Sequence, residues 1–313
     1  MTTFSVIIPT YNRRDHLMAC VASVMGQRRR PDEVIIVDDG STDGTGEALA
    51  AADGVIIIDQ ANAGPGAARN RGAEAACSDY LVFLDSDDLW LPWSLDALAT
   101  LVARHDNPTL LFARFQDFSG EPESLAEEPA AGLAFPTFLD ASAQPFFAGA
   151  GMMVIDRRAF IAAGGFAEDR VNAEDHDLTL RLGIQTGFVQ VLRPVIVGHR
   201  IHAGNEMADL DKTLLGVARL IERESSGVYP GGAARSEARR SIITRHVRPA
   251  VLDAIRAGSL RVAARLYCDT FAWNARDGRI AFLLAAPVLM LRAGMLAAVL
   301  SWPRARARAR TAS

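Results

Sequence analysis

The stretch Leu81-Val-Phe-Leu-Asp85-Ser-Asp87-Asp88 decides how this chain is read. Four apolar residues run straight into three carboxylates. The apolar run has the length and composition of a strand buried on both faces. Carboxylates gathered at the end of such a strand repel one another, a cost that makes sense if a divalent cation sits there. Asp85 and Asp87 are two apart, so at a strand end both point to one side. Carboxylate oxygens suit Mg²⁺ or Mn²⁺, ions that commonly share their ligands with substrate phosphates. Taken alone, a D-x-D pair reads equally well as solvated turn residues that close a strand.

Outward from this stretch, the first half alternates apolar runs with helical patterns. Strands are predicted at Phe4–Ile8, Glu33–Val37, Val55–Asp59 and Tyr80–Leu84, and helices at Arg14–Met25, Thr45–Ala52 and Ala67–Ala76. This rhythm predicts an α/β fold with a mainly parallel sheet and helices on both faces. Ligands of such sheets bind where strands end. The residues there are Pro9-Thr10-Tyr11-Asn12, Asp38-Asp39-Gly40-Ser41, Gln60-Ala61-Asn62 and Asp85-Ser86-Asp87. No G-x-G-x-x-G follows the first strand and Gly64-Pro65-Gly66 lacks a P-loop lysine, which argues against a nicotinamide enzyme or a P-loop ATPase.

Composition sets outer bounds. The 313 residues are half apolar and carry a net charge of −4, enough to bury a large core and with no pointer to nucleic acid as a partner. Cys20, Cys77 and Cys268 are widely spaced and form neither a disulfide framework nor a zinc pattern, so a reducing cytoplasm is expected. The first residues enter an apolar strand without a basic n-region, and no signal peptide is expected.

Several side chains have both a chemical and a structural reading. Asp38 and Asp39 can bond a nucleobase imide and ribose hydroxyls, or start an Asx-turn. Arg69 and Arg71 can hold diphosphate near a helix N-terminus, or solvate a helix face. Glu174 and Asp175 open a helix predicted at Ala173–Gly183 with Asn172 as its cap. There they favour the helix macrodipole, or one of them is a general base. His202 is a structural histidine or a metal or phosphate contact. Residues 120–128 are acidic and turn-rich, 146–166 are dense in glycine and aromatics, and a loop is expected at 225–232.

In order along the chain, these segments resemble the inverting family 2 glycosyltransferases of the GT-A fold. The resemblance covers about residues 4–205. It rests on Ser5-Val-Ile-Ile-Pro-Thr-Tyr-Asn12, Val37-Asp-Asp-Gly-Ser-Thr-Asp43, Asn62-Ala-Gly-Pro-Gly-Ala-Ala-Arg69-Asn-Arg-Gly72 and Phe83-Leu-Asp-Ser-Asp-Asp88. It continues in Gly164-Gly-Phe166, Glu174-Asp175 and Arg200-Ile-His202. It implies a nucleotide-sugar donor held by Pro9, Thr10, Tyr11, Asp38, Asp39, Asn62, Arg69 and Ser86, with Asp39 on the base and Arg69 near base or phosphate. Asp85, Asp87 and His202 would bind Mn²⁺ or Mg²⁺. Asp175, beside Glu174, would be the general base, and Gly165 and Phe166 would shape the acceptor side.

The expected reaction moves one sugar, from a UDP- or dTDP-sugar by preference, to a glycan or lipid-linked acceptor of a cell-surface polysaccharide. The Q-x-x-R-W motif and long spans of processive synthases are absent, and Arg181 follows the acidic pair as in non-processive members. Two rivals are a catalytically silent GT-A scaffold and a sugar nucleotidyltransferase. The latter would carry a glycine-rich basic loop after the first strand, where Pro9-Thr-Tyr-Asn12 stands.

The expected domains are a catalytic domain over 1–208, with a donor half to about 90 and an acceptor half from about 91, and a helical region over 209–313. Residues 280–302 are strongly apolar, broken by Pro287 and Arg292, and are followed by Arg304, Arg306, Arg308 and Arg310. A span would have to tolerate that arginine. An interfacial helix at the cytoplasmic membrane face, or packing on the catalytic domain or on another subunit of a homo-oligomer, are the readings left.

Overall fold

The computed structural model describes residues 2–50, 53–120, 125–144, 149–202 and 209–310, with side chains as far as 295. Parts of the segments predicted at 45–52, 120–128 and 146–166 fall outside the described residues, as do 203–208. The chain divides into two compact units, residues 1–205 and 206–313.

In the first unit the elements run β1 (Phe4–Thr10), α1 (Arg14–Met25), β2 (Glu33–Asp38), α2 (Thr45–Leu49), β3 (Ile56–Asp59), α3 (Pro65–Ala75) and β4 (Tyr80–Phe83). There follow β5 (Leu89–Trp90), α4 (Ser94–Arg104), β6 (Leu110–Phe112), β7 (Phe115–Phe118), β8 (Ala131–Thr137), β9 (Met153–Asp156), α5 (Arg157–Ala162), α6 (Glu174–Arg181), β10 (Thr186–Arg193) and β11 (Val197–Arg200). Among the described residues, eight strands form one sheet in the order β3-β2-β1-β4-β9-β6-β10-β8, and β5-β11-β7 form a small second sheet.

The large sheet is mainly parallel, as predicted. β1 pairs in parallel with both β2 and β4, β2 with β3, and β6 with β10. β9 and the edge strand β8 run the other way. Every residue of β1 and β4 is buried, the expected consequence of helices on both faces, whereas edge strand β3 is partly exposed. β1 extends two residues beyond its predicted end. Pro9 lies past the last residue paired with β4, at Ile7, so its missing N–H breaks no ladder on that side. Because β1, β2, β3 and β4 share one direction, the four polar segments that follow them share one rim.

α6 starts at Glu174, and its cap position is Ala173, with a left-handed φ of 71° and no side-chain cap, rather than the predicted Asn172. The first-turn acid Asp175 accepts the His176 N–H locally instead.

The second unit holds α7 (Leu210–Ser225), α8 (Ser236–Arg256), α9 (Leu260–Arg276) and α10 (Ile280–Arg310). No helix among the described residues is long and apolar enough to cross a membrane. Inside this unit Glu224 is buried against Arg239, at 2.6 Å, and Arg240, at 3.0 Å. Arg239 also donates to the carbonyls of Pro230 and Gly232. It thus ties the end of α7 and the following loop to α8. Glu224→Ala strands the buried Arg239 charge and should lower the stability of this unit by about 3–5 kcal/mol. Urea denaturation of the full chain followed by circular dichroism measures it, and a loss below about 1 kcal/mol would place the pair among weak surface bridges.

Candidate active site

The rim after the parallel strands is laced by short backbone contacts. Thr10 O accepts the Asp39 N–H at 2.9 Å. Asn12, at a positive φ of 51°, donates its N–H to Ser41 Oγ at 2.9 Å and accepts the Thr42 N–H at 2.8 Å. Asp38 Oδ1 accepts the Ser41 N–H at 2.9 Å. The loops after β1 and β2 are therefore one unit. Thr10 is buried, and its Oγ1 has no hydrogen-bond partner among the described residues. Tyr11 and Asn62 are exposed beside it, while Ser86 is buried.

Asp39, expected on the base, also has partners within the fold. Its carboxylate accepts Gln60 Nε2 and the Ala63 N–H, both at 2.7 Å, and the Gly64 N–H at 2.8 Å. It thus fastens the loop after β3 to the start of α3, where backbone donors are unpaired. Its contribution in this structure is to hold the donor-side loop in shape.

Arg69 is the centre of the site. It projects from α3, is buried, and donates to Asp85 Oδ1 at 2.6 Å and to Glu174 Oε1 at 3.1 Å. Its guanidinium also lies 5.4 Å from the Phe166 ring centroid. Phe166 is buried, edge-on to Phe83 at 5.1 Å. It therefore supports Arg69 from beneath. Gly165 is held just as closely. Asn70 brackets Phe166, accepting its N–H at 2.8 Å and donating to its carbonyl at 2.9 Å, and a Cβ on Gly165 would come within 2.5 Å of Asn70 Oδ1. Arg71 pairs with exposed Glu74 on the outer helix face.

Asp87 faces a second cluster. Its Oδ2 is paired with Arg13 and lies 2.9 Å from His202 Nε2, and His16 lies against His202 at 5.0 Å between centroids. Burial works against ionisation of Asp87, but Arg13 and His202 outweigh it and hold its carboxyl below the usual range. Asp88 is the opposite case. Burial, then the neighbouring Asp85 and Asp87 charges, push it up to about 8, against the Arg200 N–H that it accepts at 2.9 Å.

The expected trio Asp85, Asp87 and His202 is only partly assembled. Among the described residues no three His, Cys, Asp or Glu side chains converge on a metal position. Asp87 and His202 meet, while Asp85 turns to Arg69. The donor chemistry nevertheless fits a cation. Two carboxylates and an imidazole are donors that suit Mn²⁺.

Asp175 and His176 form a close pair, Oδ1 to Nδ1 at 2.8 Å. Burial pushes each toward its neutral form, but their mutual attraction outweighs it. Asp175 is held below its ordinary 3.8 and His176 above its ordinary 6.5. α6 is anchored behind them by Arg181, which bonds buried Asp177 at 3.0 Å and the Gly165 carbonyl at 2.6 Å.

Sequence reasoning missed Arg13, His16 and Gly151 as parts of this site. Antiparallel β9 begins beside the end of β4, which brings Gly151 against Asp85. A Cβ there would lie 2.6 Å from Asp85 Oδ2. The glycine-rich character of 149–151 was the visible signal, but nothing in it pointed to Asp85.

A mainly parallel sheet with an aspartate-rich rim, closed by α6 and by the loop through His202, defines a GT-A domain, the architecture of nucleotide-diphospho-sugar transferases. The chain belongs to glycosyl transferase family 2, which matches it over residues 5–161. It is 42% identical over 106 residues to the uncharacterized glycosyltransferase YibD of Escherichia coli, covering 33% of this chain and 31% of YibD. It is 43% identical over 91 residues to the putative teichuronic acid biosynthesis glycosyltransferase TuaG of Bacillus subtilis, covering 28% of this chain and 36% of TuaG. The matched region thus spans about a third of the length of these relatives. The crystal structure of S. aureus TarS 1–349 in complex with UDP-GlcNAc shares the fold, with a TM-score of 0.61 at 19% identity, covering 88% of this chain and 92% of that one.

The Asp175–His176 pair sets a pH dependence. His176, raised on folding, adds stability below about pH 6.5 that is lost as pH rises through its folded value. Asp175, lowered on folding, adds stability above about pH 4 that is lost as pH falls through its folded value. Urea denaturation between about pH 6 and pH 9 should show the native chain losing more stability than His176→Asn. Equal slopes would remove the pair as the cause.

Proposed function

We propose that residues 1–208 transfer one sugar from a nucleotide-sugar to a hydroxyl of a glycan or glycolipid acceptor in cell-surface polysaccharide synthesis, with inversion at the anomeric carbon. The observation that carries this reading is the convergence on Arg69 of Asp85, from the end of β4, and Glu174, from the start of α6. It joins the rim where a donor diphosphate would lie to the helix that would carry the base. TuaG is named for teichuronic acid biosynthesis and TarS was crystallised with UDP-GlcNAc. The first supports a polysaccharide acceptor here, and the second a uridine nucleotide.

In this reading residues to about 90 form the donor half and those from about 91 the acceptor half. The nucleoside rests on Pro9, Thr10, Tyr11, Asp38 and Asn62, and the unpartnered Thr10 Oγ1 is available to a ligand hydroxyl or carbonyl. Asp39 keeps the loop under it in place, and buried Ser86 shapes the turn between Asp85 and Asp87. Asp85, Asp87 and His202 would hold Mn²⁺ or Mg²⁺, which when bound supplies Lewis-acid withdrawal of charge from the diphosphate. Arg13 and Arg69 add fixed positive charge on the same side, where negative charge grows on the departing nucleoside diphosphate.

On the other side Asp175 is kept ionised at neutral pH by His176, the state a general base requires. It takes the proton of the acceptor hydroxyl as that oxygen attacks. One bond to the anomeric carbon forms while the bond to the diphosphate breaks, and no enzyme nucleophile is needed.

Asp175→Asn should leave nucleotide binding intact and cut transfer about 10²–10⁴-fold, the usual worth of a general base. Equal loss of binding and transfer would assign Asp175 to structure. Calorimetric titration of UDP, dTDP, GDP and CMP, each with and without Mn²⁺, should show metal-dependent binding of a uridine or thymidine nucleotide. Asp87→Ala should abolish that dependence. Unchanged dependence would exclude Asp87 as a ligand, and no binding by any of the four would point to a silent scaffold.

A further inference from the structure

The helical unit presents an apolar surface that neither the donor site nor the reaction uses. From Ile280 to Pro303 the only charged residue is Arg292. α10 has one face turned into its own bundle. Leu283 and Ala286 are buried, and Tyr267 of α9 donates its hydroxyl to the Leu283 carbonyl at 2.9 Å. A surface helix normally answers such a face with a polar one. Here the outer face is apolar as well. Ile280, Leu284, Val288, Leu291 and Met295 are each between 54% and 68% exposed. At 100° per residue they fall within an arc of about 80°, one continuous stripe roughly four turns long. Contiguous exposed apolar surface of this kind marks a contact site.

The charge around the stripe identifies the contact. Residues 278–313 contain six arginines (Arg279, Arg292, Arg304, Arg306, Arg308 and Arg310) and no acidic residue, in a chain whose net charge is −4. Exposed Arg292 follows directly on stripe residue Leu291. A second copy laid on the stripe would bring the arginine-rich segments together if parallel and leave them beyond the contact if antiparallel, and in neither case would its own residues 278–313 offer them a negative charge. An anionic lipid surface complements both features, taking the apolar stripe at the acyl boundary and the arginines at the headgroups. A transmembrane course would place Arg292 in mid-span and Pro287 within the helix, and the buried charge disfavours it.

We propose that α10 docks the protein, in the plane of the interface, on membranes rich in anionic phospholipid. The stripe supplies the apolar contact and the arginines the preference for negative charge. This surface lies wholly within the helical unit and is independent of the glycosyl-transfer reading, so either can fail without the other.

The experiment is cosedimentation of the purified full chain with phosphatidylcholine vesicles and with vesicles that also contain phosphatidylglycerol. The chain should partition to the anionic vesicles more than about tenfold better, since each basic residue near such a surface adds roughly 1 kcal/mol, and high salt should weaken binding. The double variant Leu284→Asp, Val288→Asp should lose vesicle binding while keeping its helical circular dichroism and the nucleotide binding measured by calorimetry. A second variant leaves the stripe intact and replaces Arg304, Arg306, Arg308 and Arg310 with Gln. It should lower binding to anionic vesicles to near the level seen with neutral ones. Equal binding to both vesicle types, or binding unaffected by either variant, overturns the proposal. So does a dimer in solution that the double aspartate variant dissociates, which would give the stripe to a second copy.

Discussion

A guanidinium removed from water must find anions close by, and Arg69 finds two. It is planted on a helix that packs beneath the sheet, so its position is set by the core and not by the loops. From there it reaches Asp85 on one element and Glu174 on another, some 90 residues apart in sequence. Phe166 closes the space below it, and Asn70 and Arg181 hold the glycine turn that carries Phe166. Remove the positive charge and the two carboxylates are left facing each other at the edge of a dry interior. The arrangement of the rim therefore depends on this buried ion cluster more than on any single loop hydrogen bond.

The three carboxylates after β4 show how one short stretch can support three environments. Asp85 is neutralised by Arg69. Asp87 is neutralised by Arg13 and His202 and stays readily ionised. Asp88 is buried behind them, accepts one backbone N–H from Arg200, and is pushed toward its protonated form by its neighbours. Side chains of one type thus sit in different charge states because burial and counter-charge differ within a few ångströms. The same balance explains why Arg13 and Arg69 occupy positions near the expected cation. In the protein alone they offset part of the cluster's charge.

The helical unit follows another rule. Its interior is organised by Glu224 and the arginines of α8, and its outermost helix is apolar on two sides. Charge pairing makes the bundle specific, whereas the exposed stripe on α10 has no counterpart within the described residues.

Much of the first unit was legible in the chain itself. The apolar runs set the strands, Gly and Pro placed the turns, and the uniform strand direction put Thr10, Asp38, Asn62 and Asp85 on one rim. The order of short motifs was enough to indicate the family. What could not be read was commitment. Asp39, expected on a base, also accepts the Gln60 amide and two backbone N–H groups of the loop after β3. Phe166, expected to shape the acceptor side, is buried beneath Arg69. Gly151 and Arg13 carried no motif, yet one touches Asp85 and the other holds Asp87. Local sequence determines which elements form and which residues stand at their ends, because periodicity and turn chemistry act over a few residues. Which carboxylate of the rim meets which arginine was decided only by the tertiary structure, because those pairings are made across strand crossovers, between residues 16 to 105 positions apart.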